Sequence, residues 1–271
     1  MERPTDVATQ QASPAIRIRY GPAPSQFGDL RLPGTSGPHP VVVGLHGGWW
    51  RAAFGLEPHG PLCAALTADG FATWNVEYRR VGEEGGGWPG TFEDVGRAAD
   101  FLAELAPAHD LDLSRIVTVG FSAGGHLALW VAGRHRLASG HPLRPRAPVQ
   151  LRGAVSLAGA VDLAHCAKMG LGEHAAAKLL GGKPGDVPER YAAGSPSSLL
   201  PLGVPQSLLH GTADDVVPHE VSRRHHAAAV SAGDDAELQL LPGVDHFQLI
   251  DPLAPTWPAV RDCVRRRAGV S

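Results

Sequence analysis

Gly120-Phe121-Ser122-Ala123-Gly124 is the stretch that decides the fold. The β-forming run Arg115-Ile116-Val117-Thr118-Val119 leads into it, and Gly125-His126-Leu127-Ala128-Leu129-Trp130-Val131-Ala132 follows with helical character. Ser122 therefore falls at a sharp turn between a buried strand and a helix. Such a turn strains the backbone of its central residue and closes only between small neighbours, here Gly120 and Gly124. It lifts the Ser122 hydroxyl out of the sheet. It also aims the Ala123 N–H and the positive end of the helix at whatever Ser122 attacks. An inert serine in a tight turn has the same local signature, so the rest of the chain must supply the partners of a nucleophile.

Outward from this turn, strands and helices alternate. Strands are expected at 16–20, near 27–32, at 41–45, 71–76, 153–157, 206–210 and 237–241. Helices are expected near 60–68, 91–106, 220–232 and 259–267. The run Val41-Val42-Val43-Gly44-Leu45 is apolar without alternation, as for a strand buried on both faces. Thr91-Phe92-Glu93-Asp94 fits a capping box. Residues 81–90, with Gly85-Gly86-Gly87, read as a flexible loop, whose glycine-rich part from Gly82 is either a mobile lid or an irregular surface turn. Between Asp162 and Pro201 the pattern breaks into short Ala-, Gly- and Ser-rich pieces, read as a small helical cap near 162–201. The expected class is α/β: a mostly parallel central sheet of about eight strands with helices on both faces. Residues 1–14 read as a flexible tail and 15–271 as a single domain. Ligands of such sheets bind beyond the carboxyl ends of the strands.

The chemical groups fall at those ends. A serine hydroxyl needs a base to accept its proton, and the base needs a carboxylate to orient it. The carboxylate candidate lies in His210-Gly211-Thr212-Ala213-Asp214-Asp215-Val216-Val217-Pro218. Asp214 is favoured there and Asp215 is its rival. The base candidate is His246, in the loop after the last expected strand. Directly after the 41–45 strand comes His46-Gly47-Gly48-Trp49-Trp50. Its glycines let backbone N–H groups approach a substrate, so Gly48 and Trp49 are expected to complete an oxyanion hole with Ala123. His46 reads as a support for that loop. Trp49, Trp50 and Trp88 are candidate substrate-binding walls, with packing of the loop on the core as the alternative for the first two. Trp130 reads as helix packing, Met169 and Leu171 as cap residues near the pocket, and His225-His226 as a solvated helix face.

Composition narrows the classes. The 271 residues are 43% hydrophobic and 19% charged, with a net charge of −3. That balance gives no electrostatic reason to bind nucleic acid or anionic membranes. Cys63, Cys166 and Cys263 are odd in number and far apart, with no metal-ligand spacing, and read as reduced thiols. No signal peptide and no membrane-length apolar run is seen, so a cytoplasmic location is the expectation.

Together, G-x-S-x-G-G, H-G-x-x-D-x-x-V-P, the terminal His-Phe and the H-G-G-x-W loop resemble the α/β-hydrolase superfamily over roughly residues 41–247. The H-G-G-x-W loop is similar to that of kynurenine formamidases (arylformamidases) and of bacterial carboxylesterases. It departs from the lipase-like H-G-G-G loop at Trp49. The resemblance implies a serine hydrolase acting through Ser122, His246 and Asp214 and an acyl-enzyme, with no metal or organic cofactor. The expected substrate is a small-molecule ester or amide, and a homodimer is left open. Arylformamidase activity on N-formylkynurenine and a thioesterase or tailoring role in a biosynthetic pathway are the alternatives. A non-catalytic binding protein has no use for the intact set of three side chains.

Overall fold

The computed structural model describes residues 14–270. The tail expected at 1–14 lies outside that range except for Pro14. The eight strands are β1 (Ile16–Arg19), β2 (Phe27–Arg31), β3 (His39–Leu45), β4 (Ala72–Val76), β5 (Leu111–Phe121), β6 (Leu151–Leu157), β7 (Gln206–Gly211) and β8 (Ala236–Leu241). They form one sheet in the order β1-β2-β4-β3-β5-β6-β7-β8. The β1–β2 and β2–β4 pairs are antiparallel and all others parallel. This is the eight-stranded, mostly parallel sheet of the α/β-hydrolase fold.

Side chains alternate across the strands and build two cores. On one face Val42, Val117, Val119, Val155 and Leu209 pack with Leu62 and Leu66 of α1 (Gly60–Ala68) and Val260 and Val264 of α9 (Trp257–Ala268). On the other face Val41, Val43, Leu45 and Ala154 belong to a larger core. That core takes in α2 (Gly90–Asp100), α3 (Leu102–His109), α4 (Ala123–Gly133) and α8 (Glu220–Ser231). The 162–201 segment forms α5 (Leu163–Met169), α6 (Leu171–Leu180) and α7 (Pro188–Gly194) against that same core. Polar atoms of α4 tie it down: Trp130 Nε1 donates to Ala193 O at 2.8 Å and His126 Nε2 lies 2.8 Å from Gly194 O.

Three local expectations change, and the 81–90 loop is seen to be anchored. The helix expected over 91–106 is two helices, joined where Phe101 O accepts from both Glu104 N–H (3.0 Å) and Leu105 N–H (3.2 Å). The capping box does not form, because Thr91 Oγ1 is engaged outside the helix. It accepts from Gly87 N–H and donates to Arg79 O. The 81–90 segment is tied at both ends, by Val81 N–H to Trp50 O and by Trp88 N–H to Leu179 O, each 2.8 Å. His225 is buried, not solvated: Nδ1 lies 2.8 Å from Ser197 Oγ and Nε2 lies 2.7 Å from Gln206 Oε1.

Candidate active site

Ser122 caps α4 with φ 55° and ψ −116°, outside any regular conformation and costly for a residue with a Cβ. The surroundings enforce it. Ser122 N–H donates to Leu157 O at 2.8 Å, and Ser122 O accepts from His126 N–H at 3.2 Å. A methyl group on Gly120 would sit 2.0 Å from Gly124 O, and one on Gly124 only 1.9 Å from Leu45 O. Helix and strands thus meet at backbone distance, which only glycine allows. Every residue of α4 is buried, so its N-terminal dipole acts with little solvent screening at the Ser122 hydroxyl.

Asp214 and His246 come from the loops after β7 and β8. His246 Nδ1 lies 2.6 Å from Asp214 Oδ2, and both side chains are almost fully buried. Asp214 Oδ1 accepts the N–H groups of Val216 (2.9 Å) and Val217 (2.8 Å), and His210 Nε2 lies 3.1 Å from Oδ2. Burial opposes ionisation of this carboxyl, but the hydrogen bonds from His210 and His246 outweigh it and hold Asp214 well below the usual carboxylate range. Asp215, the rival, is exposed.

Ser122 and His246 line the same cavity of about 200 Å³. Its remaining walls include Gly47, Gly48, Trp49, Phe54, Phe121 and Phe247. His59 also borders it; burial pushes its imidazole down to about 3, so it is neutral near pH 7. Gly48 lines the same cavity, and Gly47 lies against the serine because it has no side chain. A methyl there would lie 2.9 Å from the Phe121 ring and 3.2 Å from Ser122 Cβ. Gly48, Trp49 and Trp50 all have positive φ, which curls this loop over the end of β3.

The three tryptophans separate. Trp49 borders the cavity and lies against Gly172 of the α6 segment. Trp50 does not border it: the indole is buried, donates from Nε1 to Ala123 O at 3.2 Å and meets the His126 ring edge-on. Trp88 is also away from it, against Phe92 and His141. Met169 and Leu171 are not among the lining residues either, and Met169 is exposed. For Trp50 the sequence pattern of adjacent aromatics on a loop could not tell a wall from an anchor.

Other residues emerged only in the structure. Glu77, just past β4, is a buried carboxylate that holds the His46 loop. Its Oε1 lies 2.9 Å from His46 Nε2 and accepts Tyr78 N–H at 2.9 Å; its Oε2 accepts Leu56 N–H (3.1 Å) and Arg80 Nη1 (3.2 Å). Tyr78 stacks on His46 and donates its hydroxyl to His46 O at 2.8 Å. His46 is thus a loop support, as expected. The available signal for Glu77 was a charged residue at the carboxyl end of a strand beside the glycine loop. Among the described residues no group of His, Cys, Asp and Glu is arranged to hold a metal ion. None of their helices is long and apolar enough to cross a membrane.

A family model described as BD-FAE matches residues 29–228. Esterase LipI of Mycobacterium tuberculosis is 29% identical over 160 residues, which cover 52% of this chain and 46% of that protein. Carboxylesterase NlhH of the same species is 35% identical over 105 residues, 38% of this chain and 32% of that one. The chain thus matches less than half the length of these curated relatives. Among solved structures, a truncated carbohydrate esterase from gut microbiota superposes with a TM-score of 0.83 at 24% identity, covering 97% of this chain and 99% of that one. Esterase B from Lactobacillus rhamnosis gives 0.81 at 21% identity, covering 96% and 87%. At these identities the structures share the fold.

Proposed function

Because the chain belongs to the BD-FAE family and carries the α/β-hydrolase fold, we propose that it hydrolyses small carboxylic esters with Ser122 as nucleophile, His246 as base and Asp214 as its orienting carboxylate. One observation carries this reading: His246 is held by Asp214 at 2.6 Å and shares a cavity with Ser122. His246 Nε2 takes the Ser122 proton as Oγ attacks the ester carbonyl carbon. The oxyanion accepts hydrogen bonds from the N–H groups of Gly48, Trp49 and Ala123. Collapse of the tetrahedral species breaks the bond to the alkoxy oxygen, which leaves with the proton from His246. Water then adds to the acyl-enzyme with His246 again as base, and the carboxylic acid departs. Asp214 stabilises the imidazolium in both halves and remains ionised throughout.

The walls formed by Trp49, Phe54, Phe121, Phe247 and Ile250 suit an apolar group on one side of the ester. Labelling with a fluorophosphonate tests the nucleophile. Wild type reacts and Ser122→Ala does not; equal labelling of both removes Ser122 from its role. Parallel assays with p-nitrophenyl acetate and N-formylkynurenine test the substrate class, and a strong preference for the formyl amide defeats the ester reading.

A further inference from the structure

His210 touches Asp214 but does not border the cavity. Its side chain is wholly buried, at the carboxyl end of β7. Nε2 lies 3.1 Å from Asp214 Oδ2 and 2.8 Å from Val217 O, while Nδ1 lies 2.7 Å from Ser222 Oγ on α8. Two acceptors face Nε2, so that nitrogen carries the ring proton, and the Ser222 hydroxyl donates to Nδ1. The carboxylate of Asp214 is then filled by two donors on each oxygen: Val216 and Val217 N–H on Oδ1, His246 and His210 on Oδ2.

Asp214 Oδ1 already closes the 214–217 turn through the Val216 and Val217 N–H groups, and the bond from His210 to Val217 O ties down its end. The second contact is different in kind, because it places a neutral donor on the same oxygen that serves His246. Bonds in a donor–acceptor chain reinforce one another, but two donors on one acceptor oxygen compete for the same charge. A donor that draws charge from Oδ2 weakens the hold of that oxygen on the His246 imidazolium and eases return of the proton to the leaving group. Among the described residues Asp214 is the only ionised group hydrogen-bonded to His210. Ser222 faces its other nitrogen, and His225, one turn along α8, is turned to Ser197 and Gln206.

We propose that His210 is a positioning residue, locked in one tautomer by Ser222, whose Nε2–H fixes Asp214 Oδ2 and limits how firmly His246 holds the proton taken from Ser122. This inference rests on the ester-hydrolase reading above. The test is the pH dependence of kcat/KM with p-nitrophenyl acetate for wild type, His210→Met, His210→Gln and Ser222→Ala. Methionine fills the site without a donor, whereas the glutamine amide presents an N–H at the position of Nε2. His210→Met is expected to raise the midpoint of the acid limb by about 0.5–1 pH unit, with His210→Gln back near wild type and Ser222→Ala between them. The low-field NMR resonance of the His246 Nδ1 proton is expected to move further downfield in His210→Met. A midpoint in His210→Met within about 0.2 unit of wild type, or an equal shift in His210→Met and His210→Gln, overturns the inference and leaves His210 a packing residue. If His210→Met does not fold, an unmoved midpoint in Ser222→Ala overturns it. Wild type that fluorophosphonate does not label at Ser122 defeats the ester-hydrolase reading and this inference with it. Labelled, active wild type with unmoved midpoints defeats the inference alone.

Discussion

Replacing Glu77 by glutamine tests how the glycine loop is held against the serine. Each carboxylate oxygen faces two donors: His46 Nε2 and Tyr78 N–H on one side, Leu56 N–H and Arg80 Nη1 on the other. A glutamine must turn its NH₂ to one of these pairs. The His46 ring can change tautomer and accept, and Arg80 has further partners in Glu83 and Phe54 O. Tyr78 N–H and Leu56 N–H have no such freedom, so one buried backbone donor is orphaned in either orientation. An orphaned buried donor costs about 1–3 kcal/mol, and weakening the remaining charge-assisted bonds adds about 1 kcal/mol, for a total of about 3 kcal/mol. For a chain of this size that lowers Tm by about 6–12 °C. Because His46 carries the loop that ends in Gly48 and Trp49, kcat is expected to fall more than KM rises. Thermal unfolding and steady-state kinetics on p-nitrophenyl acetate read both quantities. A Tm within about 2 °C of wild type, with kcat unaltered, refutes the claim that this buried carboxylate organises the loop.

Gly124→Ala places a methyl against Leu45 O and His46 O, backbone atoms that cannot turn aside; fluorophosphonate labelling at Ser122 is expected to fall at least about 100-fold, and normal labelling refutes the close approach. Asp214→Asn is expected to lower kcat by about 10³–10⁴, while Asp215→Asn stays within about two-fold of wild type; the reverse order would transfer the role to Asp215. Stability against urea is expected to decline as pH falls from about 6.5 toward 4. Burial pushes His126 and His225 down to about 4 and His59 to about 3, so over this window the unfolded chain binds protons that the native chain does not. Each such histidine can contribute a slope of up to about 1.4 kcal/mol per pH unit, and it contributes none above about pH 7. His126→Gln should flatten the curve, and equal urea midpoints at pH 7 and pH 5 for wild type would contradict the assignment.

The sheet was legible because its strands are short apolar runs bounded by Gly, Pro and Asp; β3, β5 and β7 contain the expected runs, extended by a few residues where pairing continues. The placement of Ser122, Asp214 and His246 in the segments after β5, β7 and β8 was legible because parallel strands bring their carboxyl ends to one edge of the sheet. Less local features were hidden. The burial of His225 and of Trp50 depends on Gln206, Ser197 and Ala123, partners that no pattern within a helix or loop reveals. Thr91 read as a cap because its spacing to acidic residues was right, but Arg79 O and Gly87 N–H bind its hydroxyl first. Glu77 and His210 were missed in their supporting roles for a related reason: each acts on a residue more than thirty positions away or through a shared oxygen.

The three cysteines lie in three separate parts of the molecule: Cys63 on α1, Cys166 on α5 and Cys263 on α9. All are free and buried, and burial raises each thiol, to about 12 for Cys63 and Cys166. A thiol reagent at neutral pH therefore meets a reactive sulfur only when its own region opens. The chain thus carries an internal set of clocks. Pulsed alkylation read peptide by peptide would time the breathing of the α5 segment separately from that of the two helices on the opposite face, with no substitution in the chain.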